Sequence, residues 1–296
     1  MPATPETPAV ELTVCIPAYN EAGAIRATLE ALRGRFGQAQ IIVVDDASTD
    51  ETGAIARGVG GIEVITHTRN MGYGAAIKTA MRRARGEVVA WYDADGQHRP
   101  EDLAAVVAPV LAGEKDAVIG ARVKGSDVRR GRVPGKMVLK HVAQAVAREK
   151  IRDLNSGLRC FRRDVILRYA HLLPDRFSAS TTSTLVMIKR GYRLGYVDIV
   201  TSARVGTSTV RMSDGLAALH LITRLLVLFE AFRFFGVLSL LQIVPGLTYG
   251  LYVAFTHHQG FPTLASTVVT SGVLTFLIGL VCDQIAAMRQ ERFEGE

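Results

Sequence analysis

Cysteine is scarce in this 296-residue chain. Only Cys15, Cys160 and Cys282 occur, an odd number, widely scattered and without metal-ligand spacing. That excludes a disulfide framework and a zinc module, and it predicts buried thiols in a reducing compartment. Aromatic residues make up 7% of the chain, and tryptophan occurs once, at Trp91. There is no basic–aromatic interleaving, zinc-finger spacing or RNP signature. Nucleic acid is therefore a poor account of the net charge of +7. No Gly-x-Gly-x-x-Gly follows the first apolar run, which argues against a dinucleotide-dependent dehydrogenase. The first ten residues hold proline and threonine but no apolar core or basic flank. They read as a disordered tail, not a signal peptide. No internal repeat or low-complexity tract is visible.

What the chain does contain is alternation. Short apolar runs fall at Leu12–Ile16, Ile41–Val44, Ile62–Ile65, Val88–Trp91 and Ala117–Ile119. Helical patterns lie between them, at Ala24–Leu32, Thr52–Arg57, Ala75–Ala84 and Asp102–Leu111. Strands alternating with helices across short loops predict an α/β domain over 11–212, with a mostly parallel sheet covered on both faces. Residues 213–233 show an amphipathic helix pattern, with Leu216, Leu219, Ile222, Leu226 and Phe229 on one face. Two uncharged runs follow within 234–282: Phe234–Phe255 and Phe261–Cys282. Each has the ~20 residues needed to cross a bilayer. The dozen Leu, Ile, Val and Phe of the first run would gain about 5 kcal/mol on insertion. The linker between the runs has no Lys or Arg, whereas Arg224, Arg233, Arg289 and Arg292 flank them. The positive-inside rule then puts both ends, including a 283–296 tail, in the cytoplasm. The basic balance suits a domain held against anionic membrane lipids.

Three acidic loops end consecutive strands. They are Pro17-Ala18-Tyr19-Asn20-Glu21, Asp45-Asp46-Ala47-Ser48-Thr49-Asp50 and Asp93-Ala94-Asp95-Gly96-Gln97-His98. Ligands of open α/β sheets bind beyond the carboxyl ends of the strands. Mg²⁺ is commonly held by one or two carboxylates plus substrate phosphates, so Asp93 and Asp95 read as a metal–diphosphate site. Tyr19 is placed to stack a base and Asp46 to read it. Asn20 and Asp50 equally suit helix N-caps. Gly72 and Gly74 lead into a helix and could admit a diphosphate to its backbone amides, or simply form a turn. Arg122, Lys124, Arg129, Arg130, Arg132, Lys136 and Lys140 crowd one basic segment, with Asp127 the only acid. The segment is either a solvated face or a contact for headgroups and a lipid phosphate.

These motifs, with Gly120-Ala121-Arg122 and Asn155-Ser156-Gly157, resemble glycosyltransferase family 2 over roughly residues 11–210. The polyprenyl-phosphate branch, with its dolichol-phosphate mannose synthases, is the most similar. The resemblance implies a GT-A fold, a nucleotide-sugar donor of the UDP-glucose or GDP-mannose type, Mg²⁺ or Mn²⁺, and inversion at the anomeric carbon. It implies donor contacts at Pro17, Tyr19, Asn20, Glu21, Asp46 and Gly72. Asp93 and Asp95 would hold the metal, with Gln97 nearby as a catalytic residue. Many relatives carry Lys where Tyr73 stands, and Lys78 is the candidate substitute. The late motif reads Arg204-Val205-Gly206-Thr207-Ser208-Thr209 and lacks the usual closing Lys. An ionised phosphate acceptor needs cationic positioning more than a base. Arg122 and Arg204 are the leading candidates for that task, with Lys124, Arg132 and Ser208 beside them. Asp153 and Asn155 are candidates to orient the sugar or the basic loop, and His98 reads as structural. The expected reaction is transfer of a hexose to polyprenyl phosphate at the cytoplasmic face of the cell membrane. A homo-oligomer is expected on resemblance only. A processive polysaccharide synthase would need a Gln-x-x-Arg-Trp motif after the catalytic region, and Trp91 is the sole tryptophan. A catalytically silent nucleotide-sugar-binding membrane module is the remaining alternative.

Overall fold

The computed structural model describes residues 10–123, 134–176, 178–202, 223–257 and 260–291. The five apolar runs form β1 (Leu12–Ala18), β2 (Gln40–Asp45), β3 (Glu63–Thr66), β4 (Val88–Trp91) and β5 (Ala117–Arg122). The four helical patterns form α1 (Ile25–Arg35), α2 (Thr52–Arg57), α3 (Tyr73–Arg83) and α4 (Pro100–Leu111). The chain continues through α5 (Pro134–Ala147), β6 (Arg159–Arg162), α6 (Arg163–Arg168), α7 (Ala179–Lys189) and β7 (Leu194–Ile199). The sequence reading does not contain β6 and β7. β6 begins and ends with arginine, and Arg159 is fully buried, so the strand shows no apolar run. β7 lies at the sheet edge with half-buried side chains.

The seven strands run in the order β3-β2-β1-β4-β6-β5-β7. β6 is antiparallel to β4 and β5, and the remaining pairs are parallel. The sheet is thus mostly parallel, as expected, with one reversed strand. Alternate residues of β1, β2 and β4 (Val14, Ile16, Ile41, Val43 and Ala90 among them) share a core with Leu29 and Leu32 of α1 and Leu103 and Val106 of α4. On the opposite face α3 packs against β1 and β2, and Trp91 stacks obliquely on Phe161 at 5.0 Å. Cys15 and Cys160 are fully buried, and burial raises both thiol pKa values, so neither is a reactive thiolate.

The register decides where the loops go. Ala18 pairs with Asp45, and Cys15 pairs with Trp91. The carboxyl ends of β2, β1 and β4 therefore stand side by side. From β1 the chain moves to β2 on one flank, and β4 lies on the other. That is a topological switch point, where open α/β sheets form a crevice.

Within the described residues the chain divides into two compact units. The first carries the sheet with α1–α4, α6 and α7. The second takes in most of α5 and the C-terminal helices, although the sequence reading puts α5 inside the α/β domain. In the second unit residues 223–229 are helical and belong to α8. The remainder of the expected amphipathic helix before it lies outside the described residues. Glu230 leaves helical geometry (φ −145°, ψ 39°), so residues 231–233 open α9 (Ala231–Thr256) rather than close α8. α9 and α10 (Thr263–Glu291) form an antiparallel hairpin of two helices long and apolar enough to cross a membrane. Gly250 lets the Phe261 ring lie against α9, since a Cβ there would sit 2.2 Å from it. Small residues commonly allow such close helix approach in bilayers. Leu240, Leu241, Tyr252 and Phe255 point outward, more than half exposed.

Candidate functional site

The loops after β1, β2 and β4 enclose a cleft of about 470 Å³ in the first unit. Pro17, Tyr19, Glu21, Asp46, Gly72, Asp93 and Asp95 line it, with Asn70 and Tyr73. Asn20 does not. It adopts φ 56°, and its Oδ1 accepts the Thr49 amide at 2.8 Å while the Asn20 amide donates to Ser48 Oγ at 3.0 Å. Asn20 therefore staples the β1 loop to the β2 loop. Asp50 reinforces that staple by accepting the amides of Ala22 and Thr52.

Asp46 is buried and lines the cleft, but its carboxylate is already engaged. It accepts the amides of Met71 (2.9 Å) and Gly72 (2.7 Å), and His67 Nδ1 lies 2.7 Å from it. Its evident local task is to fix the 70–72 loop beside the cleft. The glycines there bring the chain close to a neighbouring segment. Gly72 has φ 101°, and a Cβ on Gly74 would lie 1.9 Å from the Pro174 carbonyl. The amides of Gly74 and Ala75 donate to the carbonyls of Arg176 and Asp175. The 174–176 segment thus caps the start of α3, while Gly72 itself lines the cleft. Lys78 belongs to the same clasp: it pairs with Asp175 and donates to the Leu173 carbonyl at 3.1 Å. It is not part of the cleft lining.

Asp93 and Asp95 both face the cleft. Asp95 is buried and accepts the Gln97 amide at 3.2 Å. His98 Nε2 lies 3.7 Å from Asp93, in a buried position consistent with a supporting role. Gln97 turns toward the end of β7, donating to the Ser202 carbonyl at 3.2 Å. Among the described residues no group of three or more metal-ligating side chains assembles. Two carboxylates without a third protein ligand do not fit a structural zinc site. They do fit a hard divalent cation that completes its shell with phosphate oxygens and water.

Asp93 owes its place to Gly157, where a Cβ would lie 1.9 Å from its Oδ2. The 154–157 loop is held from beneath by Arg159. This buried guanidinium donates to the carbonyls of Leu154 (2.9 Å), Ser156 (2.7 Å) and Ser180 (2.7 Å), and to Thr184 Oγ1 (2.7 Å). Burial pushes its pKa down to about 10, leaving it charged at neutral pH. Tyr73, in the first turn of α3, lines the same cleft. Its hydroxyl sits beside Asp93 and Ser180, and burial, then the Asp93 charge, raise its pKa, so it stays a neutral donor. Arg159 and α7 are absent from the sequence reading. In sequence they show only as an isolated arginine and a run of hydroxyl residues.

Arg122, at the end of β5, closes its fork on Asp153 at 2.7 and 2.9 Å. That hydrogen bond raises the Arg122 pKa. Burial alone would raise the Asp153 pKa, but Arg122 outweighs it and the pKa is lowered. Asp153 also accepts the Asn155 amide at 3.0 Å. Among the described residues, these bonds leave the Nη1 edge of Arg122 without a side-chain partner. Lys124, Arg132, Arg204 and Ser208 lie outside the described residues.

Comparison with known proteins gives the same architecture a lineage. Residues 13–169 match Glycosyl transferase family 2, and residues 232–288 match the GtrB C-terminal hairpin. A UDP-N-acetylglucosamine–dolichyl-phosphate N-acetylglucosaminyltransferase of Methanococcus voltae is 27% identical over 63% of this chain and 83% of its own length. A polyprenol monophosphomannose synthase of Mycolicibacterium smegmatis is 33% identical over 54% of this chain and 64% of its own. Glucosyl-3-phosphoglycerate synthase of Mycobacterium tuberculosis, solved with Mn²⁺, UDP-glucose and phosphoglyceric acid, shares the fold. Its TM-score is 0.59 at 20% identity, over 73% of this chain and 79% of that one. With the family matched across more than half of the sequence and its GT-A sheet on the page, the chain belongs to glycosyl transferase family 2.

Proposed function

We propose that this glycosyltransferase moves a hexose from a nucleotide sugar to polyprenyl phosphate, with inversion, at the cytoplasmic face of a cell membrane. The observation that carries the reading is the meeting of Asp93 and Asp95 with Tyr19, Glu21 and Asp46 around one cleft, in a chain that ends in an apolar hairpin. The two relatives' names support the acceptor class, one naming dolichyl phosphate and the other polyprenol monophosphomannose. Their names carry different sugars, N-acetylglucosamine and mannose, so UDP-glucose-type and GDP-mannose-type donors both remain in the reading. The catalytic region is taken as 11–212, and the 234–282 hairpin as its anchor.

Tyr19 and Glu21 hold the nucleoside end, and Asp46 keeps the 70–72 loop in register beside it. Asp93 and Asp95 are the residues that would hold Mg²⁺ or Mn²⁺. Such a cation stabilises the charge that builds on the leaving diphosphate. An ionised acceptor phosphate oxygen forms the new bond to the anomeric carbon as the bond to the diphosphate breaks. The electron pair leaves with the nucleoside diphosphate. No proton has to move, so no general base is required.

The deciding experiment screens radiolabelled nucleotide sugars against short polyprenyl phosphates, with and without EDTA. Transfer is expected, and EDTA and Asp95→Ala are each expected to lower it by about 100-fold or more. Full activity in EDTA, or in Asp95→Ala, would refute the metal assignment. No transfer to any polyprenyl phosphate would refute the acceptor.

A further inference from the structure

His67 follows β3 directly and is not part of the cleft lining. Its side chain is nonetheless only 8% exposed, against 4% for Asp46. The sheet fixes the backbone of both residues. The His67 amide donates to the Asp45 carbonyl at 2.9 Å, and the Asp46 amide donates to the Ala18 carbonyl at 2.9 Å. The imidazole then spans the distance from the sheet to the helix above it. Its Nδ1 lies 2.7 Å from Asp46 Oδ1, and its Nε2 lies 3.0 Å from Thr79 Oγ1, midway along α3. The carboxylate accepts, so the Nδ1 proton points at Asp46. Nε2 is then the acceptor that the Thr79 hydroxyl fills, which fixes the tautomer. The Asp46 oxygen that meets Nδ1 also accepts the Met71 amide at 2.9 Å, and the other oxygen accepts the Gly72 amide at 2.7 Å. Thr79, His67 and Asp46 therefore form a line of hydrogen bonds. It starts on α3 and ends on the backbone of the cleft wall, where Asn70 and Gly72 face the cavity.

We propose that His67, oriented by Thr79, is a positioning residue for the donor: it holds Asp46, and through Asp46 the 70–72 wall, in the shape that binds the nucleotide. Asp46 cannot set its own direction. The torsion that turns a carboxylate is soft, and the two loop amides on Asp46 move with the loop they help to fix. His67 is the third donor, and it comes from outside that loop, off the end of β3. Hydrogen bonds to a carboxylate are among the stronger ones, and losing one in a buried place leaves acceptor capacity unfilled. The link to the donor rests on the proposed function. The hold on the 70–72 wall does not.

The test uses the full-length enzyme in detergent with His67→Ala, His67→Asn and Thr79→Val. Backbone amide exchange is followed by mass spectrometry, UDP and GDP are titrated by calorimetry in Mn²⁺, and kinetics are measured against donor. His67→Ala should speed exchange in peptides spanning residues 68–74 by about tenfold or more, while peptides of β4 and β5 keep their protection. Affinity for the nucleoside diphosphate that the wild type binds should fall by about tenfold, and the donor KM should rise with it. The kcat should stay within about threefold, since the loss is one of binding. His67→Asn should recover most of both losses, because its side-chain amide donates where Nδ1 does. Thr79→Val should show a smaller loss of the same kind. Unchanged exchange at 68–74 in His67→Ala, or a rise shared equally by β4 and β5, would overturn the positioning role. So would a His67→Asn enzyme no better than His67→Ala. Faster exchange with unchanged nucleotide affinity would overturn the link to the donor. If the wild type binds neither UDP nor GDP, the nucleotide reading of the cleft falls, and exchange still decides whether His67 holds its wall.

Discussion

Gly157 is the position at which the least substitution should do the most harm. A methyl group there would overlap the Asp93 carboxylate at 1.9 Å. Displacing a reacting-site group by about 1 Å can lower turnover on the order of 100-fold. Gly157→Ala is therefore expected to lose roughly that factor in kcat while keeping its far-UV circular dichroism, and an unchanged kcat would mean Asp93 is not where the reaction needs it. Residues of this kind divide by legibility. Asp93 and Asp95 stand out in sequence because two acids one residue apart follow an apolar strand and form one of three acidic loops at consecutive strand ends. Arg159 does not stand out. Its importance lies in which carbonyls surround it once β6, the 154–157 loop and α7 have packed together. Asp46 falls between the two. Its position beside the cleft follows from sequence, but the loop amides that occupy its oxygens do not.

At the level of elements, the start of α3 shows how one sequence signal serves two structures. Glycines before a helix invite a phosphate or a neighbouring chain with equal ease, since both need close backbone approach. Here the neighbour is the 174–176 segment, and Lys78 clasps it. Lys78→Met should accordingly leave the donor KM within about threefold, because the side chain does not line the cleft. Asp175 is 63% exposed, so solvent screens the pair. Loss of the pair should cost about 0.5–1 kcal/mol, read as a lower thermal midpoint in detergent. A donor KM raised by about tenfold would restore Lys78 to the diphosphate. The helix boundaries carry a related lesson. An uncharged run predicts α9 to within three residues of its start, but the break at Glu230 is a matter of backbone geometry that no side-chain pattern announces.

Across the whole molecule, the far edge of the sheet depends on Asp116. It accepts the Arg193 amide at 2.9 Å and the Arg193 guanidinium at 3.0 and 3.1 Å, with Arg162 Nη1 at 3.4 Å. These bonds tie the entrance of β5 to that of β7 and to the end of β6. The Arg193 hydrogen bond, against the opposing effect of burial, holds the Asp116 pKa at about 2. The folded value lies below the unfolded one, so this stabilisation is complete above about pH 4 and is lost as pH falls toward 2. Both arginines are about half exposed, which limits the contribution to roughly 1 kcal/mol. Asp116→Asn should lower stability by about that amount at pH 7, and its difference from wild type should narrow below pH 4 in denaturant titrations. A constant difference down to pH 2.5 would contradict the assignment. The sequence by itself determined the alternating α/β frame, the three acidic loops and the two membrane-length runs, because apolar period, helix starts and uncharged length are local properties. Only the tertiary structure decided which side chains face the cleft and which hold loops, and gathered the carbonyls of Leu154, Ser156 and Ser180 around Arg159. Those outcomes depend on register and on segments more than a hundred residues apart meeting at one sheet edge, and no local pattern encodes which partner a polar atom will find there.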